Sequence, residues 1–158
     1  MIVTLAAIGR LKASDPEQGL ARDWVDRAAA TGRGLGFRSV RLLELDPRTP
    51  APDPERESAA FLSAIDPAAQ LWLLDEGGEQ PGSAGFARLL EQARDQGTGE
   101  VVLAIGGADG HGSGVRARAR RTLAFGSWTW PHRLVRAMAA EQIYRGLTIL
   151  AGTPYHRA

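Results

Sequence analysis

Val101 to Ile105 contains no polar side chain, and Ile2 to Ile8 and Ala69 to Leu74 contain one each. Runs this short and this apolar read as strands buried on both faces, the condition of a parallel sheet covered by helices on either side. Between them lie stretches with helical spacing. Leu20, Trp24, Val25 and Ala28 predict a helix over Asp15 to Ala30, and Phe86, Leu89, Leu90 and Ala93 another over Ser83 to Gln96, with the Ser83 hydroxyl as its cap. A second strand is expected over Phe37 to Leu45 and a short helix over Glu55 to Ile65. The four prolines of Asp46 to Pro54 mark a loop. This alternation predicts an α/β domain with a mainly parallel sheet. At 158 residues, one domain over residues 1–158 is expected.

After Ile105 the pattern changes. Gly106, Gly107, Gly110, Gly112 and Gly114 fall within nine residues, directly past a buried strand. Glycine lets backbone approach a ligand closely, and parallel strands present ligands at their carboxyl ends. Taken alone, the cluster fits a binding loop and a flexible turn alike. It is no P-loop, because no Gly-Lys-Ser/Thr follows. Beyond it the sequence predicts an arginine-rich helical piece from Val115 to Arg121 and a fifth strand over Thr122 to Phe125. A helix then runs from Pro131 to about Arg145, and Gly152 to Ala158 form a polar tail. Leu134, Val135, Met138, Ala140 and Ile143 lie on more than one side of that last helix, which predicts two neighbours, one of them another subunit.

Charge is uneven although the net value is only +1. From His111 onward eight arginines face one acid, Glu141, so the preceding 110 residues are net acidic. Such a split suggests a face for a polyanion, with Arg116 to Arg121 gripping an RNA backbone. With no cysteine, disulfides, thiolate metal sites and thiol nucleophiles are excluded. His111, His132 and His156 do not stand at ligand spacing, so no metal is expected. Asp75-Glu76-Gly77-Gly78-Glu79 reads as an exposed acidic turn, and Trp128 and Trp130 as core packing or as stacking surfaces for a base or an adenine. No leader pattern and no membrane-length apolar run occurs, which makes the cytoplasm the expected location and a membrane an unexpected partner.

Four co-linear segments, Ile105-Gly106-Gly107-Ala108-Asp109-Gly110, Thr129-Trp130-Pro131-His132, Glu141-Gln142-Ile143-Tyr144-Arg145 and Pro154-Tyr155-His156-Arg157, resemble the 23S rRNA pseudouridine N3-methyltransferases of the SPOUT class. Leu74-Asp75 and Ile8-Gly9-Arg10-Leu11 fit the same pattern, so the resemblance spans the chain. It implies an α/β-knot fold with a C-terminal trefoil knot, S-adenosyl-L-methionine as cofactor, a homodimer with sites at the interface, and 23S rRNA in assembled ribosomes as substrate. By position it assigns the cofactor pocket to Leu74, Gly106 and the stretch Phe125-Gly126-Ser127-Trp128-Thr129-Trp130. His156 and Tyr155, then His132, are the candidates to meet the target base, and Arg136 or Arg157 to stabilise charge on its carbonyl oxygens. The chain departs from the family at His111-Gly112, where a Leu-Ser-like pair is usual. It also departs at Gly126, usually Ser, and at Trp128 and Trp130, usually smaller or aliphatic. A SPOUT enzyme acting on another RNA such as tRNA, and a non-catalytic RNA-binding ribosome-assembly factor, are the competing readings.

Overall fold

The computed structural model describes residues 1–48 and 50–157; Thr49 in the proline loop and Ala158 at the end of the tail lie outside them. In chain order the elements are β1 (Ile2–Ile8), α1 (Pro16–Gly32), β2 (Ser39–Leu45), α2 (Pro54–Ala64), β3 (Gln70–Glu79), α3 (Ser83–Asp95), β4 (Glu100–Ile105), α4 (Ser113–Arg118), β5 (Arg121–Leu123) and α5 (His132–Leu150). The five strands form one parallel sheet in the order β2-β1-β4-β3-β5.

The apolar runs are explained by what lies on each side of the sheet. Val3, Leu5 and Ala7 of β1, with Val101, Leu103 and Ile105 of β4, join one core with α1, α3 and α5. The alternate residues Ala6, Ile8, Val102 and Ala104 join a second core with Phe61 of α2 and Val115 of α4. Side chains alternate along a strand, so a strand covered on both faces has no position left for a polar group. Thr4, the exception in β1, is buried but satisfied: its hydroxyl donates to Glu100 and accepts from Arg41.

Helix starts follow local chemistry. Pro16 and Pro54 sit in first turns, where a missing N–H costs nothing, and the Asp53 carboxylate accepts from Arg56 N at 3.0 Å. α1 ends in a short 3-10 turn closed by Gly36 at φ 82°.

Several expectations are corrected. Ser83 does not cap α3; Gly82 occupies that position, and the Ser83 hydroxyl donates to Gln142 of α5 at 2.9 Å. The arginine-rich helix stops at Arg118 and the fifth strand begins at Arg121, because the Arg120 and Ala124 amides are drawn onto Leu71 and Glu79 of β3. α5 runs on to Leu150, since Gly146, Leu147 and Thr148 are buried and the helix packs along α1 and α3. The acidic segment after Leu74 is not a free turn: Leu74 and Glu79 both pair with Leu123, so residues 75–78 bulge out of β3 and return.

This topology opens one end of the sheet. After β3 the chain crosses to the α1/α5 face through α3, whereas after the adjacent β4 it crosses to the α2 face through α4. Where neighbouring strands send their connections to opposite faces, a crevice forms beyond their carboxyl ends. Among the described residues, no helix is long and apolar enough to cross a membrane.

Candidate cofactor cleft

A cleft of about 420 Å³ lies at this crevice, within the size range of small-molecule sites. Its walls are Leu74 to Glu76 at the bulge of β3, Ile105 to His111 from the end of β4, Leu123 to Gly126 from the end of β5, and Trp128 to Trp130 with His132 leading into α5. Seven of the eight residues expected to hold a cofactor therefore converge here: Leu74, Gly106, Phe125, Gly126, Trp128, Thr129 and Trp130. Ser127 is exposed and lies outside the lining.

The glycine loop is folded tightly on itself. Gly107 and Gly110 form an antiparallel bridge, and a Cβ on Gly106 would come 2.6 Å from the Gly110 carbonyl oxygen. No other residue fits at 106 without opening the loop. His111 closes it. Its ring is buried, and Nε2–H donates to the Leu74 carbonyl at 3.0 Å, tying the loop after β4 to β3 just before its bulge. Burial pushes the His111 pKa below the ordinary imidazole value, so the ring is neutral and Nδ1 is a buried acceptor without a partner.

The bulge in β3 is held by charge. Asp75 Oδ2 accepts from Arg116 at 2.7 Å, and Arg116 also donates to the His111 carbonyl. Burial opposes ionisation of Asp75, but the Gly77 amide and Arg116 together outweigh it and hold its pKa below the usual carboxylate value. Across the cleft the Thr129 hydroxyl donates to Glu76 at 2.9 Å, fixing the loop that carries the two tryptophans. Trp130 presents a buried, unpartnered Nε1–H. Trp128, 72 % exposed, lies with its ring centre 6.0 Å from that of Trp130. His132 lines the cleft with its pKa lowered by burial, then by Arg136 and Arg133.

The remaining candidates sit elsewhere in the chain. Arg136 is 1 % exposed and does not line the cleft. Its guanidinium bonds Glu44 of β2 and the carbonyls of Ile8 and Gly9, so its partner is within the chain. Tyr155 donates to Glu141, packs on Tyr144 and Trp24 and lies under the Arg145 guanidinium, which also reaches His156 Nδ1 at 3.3 Å. An apolar groove lined by Leu20, Trp24, Phe125, Leu134, Met138 and Glu141 shares Phe125 with the cleft, and Trp24 and Glu141 with that tail. Of the arginines expected to grip RNA, Arg116 and Arg121 pair with Asp75 and Glu79, and Arg118 donates to three carbonyls of residues 66–69. Among the described residues of that segment, Arg120 alone keeps its side chain unengaged.

Sequence reasoning missed His111, Asp75, Glu76 and Val135 as lining residues. For His111 a signal existed, since it stands inside the glycine cluster, but its reach to Leu74 depends on strand adjacency.

The family model described as predicted SPOUT methyltransferase matches residues 1–156. The chain is 48 % identical over 158 residues to the ribosomal RNA large subunit methyltransferase H of Hyphomonas neptunium, covering all of both chains. It is 45 % identical over 157 residues to the protein of that name from Maricaulis maris, and 48 % over 157 residues to that of Cereibacter sphaeroides (strain ATCC 17025), with 99 % of each chain covered in both cases. With a crevice past parallel strands, a closed glycine loop and full-length likeness to these proteins, the chain belongs to the SPOUT methyltransferase family.

Proposed function

We propose that this protein uses S-adenosyl-L-methionine to methylate N3 of a pseudouridine in the 23S rRNA of assembled ribosomes, in the cytoplasm. The observation that carries the reading is the convergence of Leu74, Gly106, Phe125, Gly126 and Trp128 to Trp130 on one cleft, in a chain alike end to end to rRNA methyltransferases. The residues present suit the cofactor. The unpartnered Trp130 Nε1–H and His111 Nδ1 offer one donor and one acceptor; Leu74, Ile105, Leu123, Phe125 and Val135 supply apolar wall, and Asp75, Glu76, Asp109 and Arg116 line the polar side. Leu74, Gly106, Phe125, Gly126 and Thr129 would hold it, with the tryptophans closing over its rings. When bound, S-adenosyl-L-methionine supplies a methyl group already activated on a sulfonium, so positioning accounts for much of the acceleration.

The chain's own task is to seat the uracil ring and take up the N3 proton. Neutral His132, at the mouth of the cleft, has a free ring nitrogen to accept it. His156 and Tyr155 do not line the cleft of their own chain, so in this reading they meet the target base from the tail of a second copy. A homodimer is favoured by Leu20 and Leu134, which leave 50 % and 37 % of their surface exposed along the apolar groove. Arg157 is the remaining candidate for a cation beside the base, because Arg136 is already committed to Glu44. The C-terminal segment is read as a trefoil knot, which the strand order supports: β5 lies beyond β3, and α5 returns to the opposite face from α4.

The test is transfer of labelled methyl from S-adenosyl-L-methionine to 70S ribosomes lacking the modification, with the nucleotide mapped by mass spectrometry. Label on N3 of a 23S pseudouridine is expected. Transfer to tRNA alone would overturn the substrate, and no transfer to any RNA would favour a binding factor.

A further inference from the structure

Helix α2 has no part in the cleft lining, yet three of its side chains point at the glycine loop and the first turn of α4 that follows it. Glu55 accepts from both the amide and the hydroxyl of Ser113 at 2.8 Å. Ser58 Oγ accepts from the buried Val115 amide at 2.9 Å. Between them Glu57, only 6 % exposed, lies directly beneath Gly107, where a Cβ would come 2.5 Å from Glu57 Oε2. The Gly107 and Asp53 N–H groups both draw on that carboxylate without reaching full hydrogen-bond geometry, and Oε2 remains buried and unpartnered. A buried carboxylate oxygen left short of a bond is costly, and the place of Glu57 in the first turn of α2 offsets only part of that cost.

We propose that α2 is a clamp on the cofactor loop and that Glu57 is its positioning residue, taking a full hydrogen bond from Gly107 as the loop closes on S-adenosyl-L-methionine. This rests on the cofactor reading given above. Glu55 and Ser58 fix the first turn of α4 at Ser113 and Val115, just past the loop, while the Gly107–Gly110 bridge ties the hairpin above Glu57 into one unit. Glu57 sits under that hairpin. Its carboxylate thus sets how deep the Gly106 backbone stands in the cleft, and the absence of a side chain at 107 is what allows the approach.

The test is titration calorimetry of the full chain with S-adenosyl-L-methionine, alongside thermal unfolding and amide hydrogen exchange of the 106–115 segment. Glu57→Ala is expected to weaken binding about tenfold, as for one buried N–H deprived of its acceptor. It should also speed exchange at the loop without cofactor. Glu57→Gln keeps an acceptor oxygen and is expected to restore binding to within about threefold of the wild type. Gly107→Ala, which forces a Cβ onto Oε2, is expected to weaken binding by itself but to cost little more in the Glu57→Ala background. That cycle reads the contact even if one variant is less stable. Unchanged affinity in Glu57→Ala, no recovery in Glu57→Gln, or additive effects at 57 and 107 would each overturn the clamp. A wild-type protein that binds no S-adenosyl-L-methionine would instead overturn the cofactor reading beneath it.

Discussion

Replacing Arg136 by Met separates a structural arginine from one that touches substrate. The side chain is 1 % exposed, and its fork spans Glu44 on one nitrogen and the Ile8 and Gly9 carbonyls on the other. It thereby joins α5 to the ends of β1 and β2. Removing one partner of a buried ion pair typically costs ~3–5 kcal/mol, because the other is left charged and under-solvated. Here Glu44 is 16 % exposed and keeps the Leu11 amide and the Gln18 side chain as donors, which points to the lower end, about 3 kcal/mol. For a domain of this size that corresponds to a fall in melting temperature of roughly 6–12 °C. The assay is urea unfolding followed by tryptophan fluorescence at fixed protein concentration, since self-association would add to apparent stability. Lysine should recover only part of the loss, because a single ammonium cannot serve both the carboxylate and the carbonyls. A variant that unfolds at the wild-type midpoint while losing methyl transfer would refute this reasoning and return Arg136 to the reacting base.

Other outcomes follow from the cleft. Gly106→Ala is expected to weaken S-adenosyl-L-methionine binding by at least about tenfold in calorimetry, because its Cβ would meet the Gly110 carbonyl at 2.6 Å; unchanged affinity would put the cofactor elsewhere. Burial lowers the pKa of His111, so the unfolded chain takes up a proton more readily than the folded one. Stability from this group is therefore intact above about 6.5 and falls as pH drops from there toward the lowered folded value. His111→Leu should flatten that part of the stability–pH profile, with the contribution of His132 remaining. Leu134→Glu places a charge in the apolar groove and is expected to shift sedimentation from dimer to monomer, with loss of methyl transfer to ribosomes. A monomeric variant with full activity would show that each cleft is complete within one chain.

Elements whose period or composition is set locally were legible in the sequence. The strands over Ile2–Ile8 and Val101–Ile105 matched to within a residue, because burial on both faces leaves no polar position to blur their ends. Boundaries fixed by distant contacts were not. β3 passes Leu74 because Glu79 returns to Leu123, and α5 passes Arg145 because its last turns are buried. Ser83 has the chemistry of a cap, but its hydroxyl donates its hydrogen bond to Gln142, 59 residues away in α5.

What the sequence by itself determined is the set of parts: alternating strands and helices, the glycine loop past the fourth strand, and the motifs that mark the family. These depend on side-chain periodicity and on neighbours close along the chain. Only the tertiary structure decided which parts meet. The order β2-β1-β4-β3-β5 brings residues 74, 106 and 125 to one cleft, commits Arg136 to Glu44 and most of the 116–121 arginines to nearby acids and carbonyls, and sets Glu57 under Gly107. A sequence lists its charges without their partners, whereas packing assigns the partners and so decides which groups remain available for chemistry.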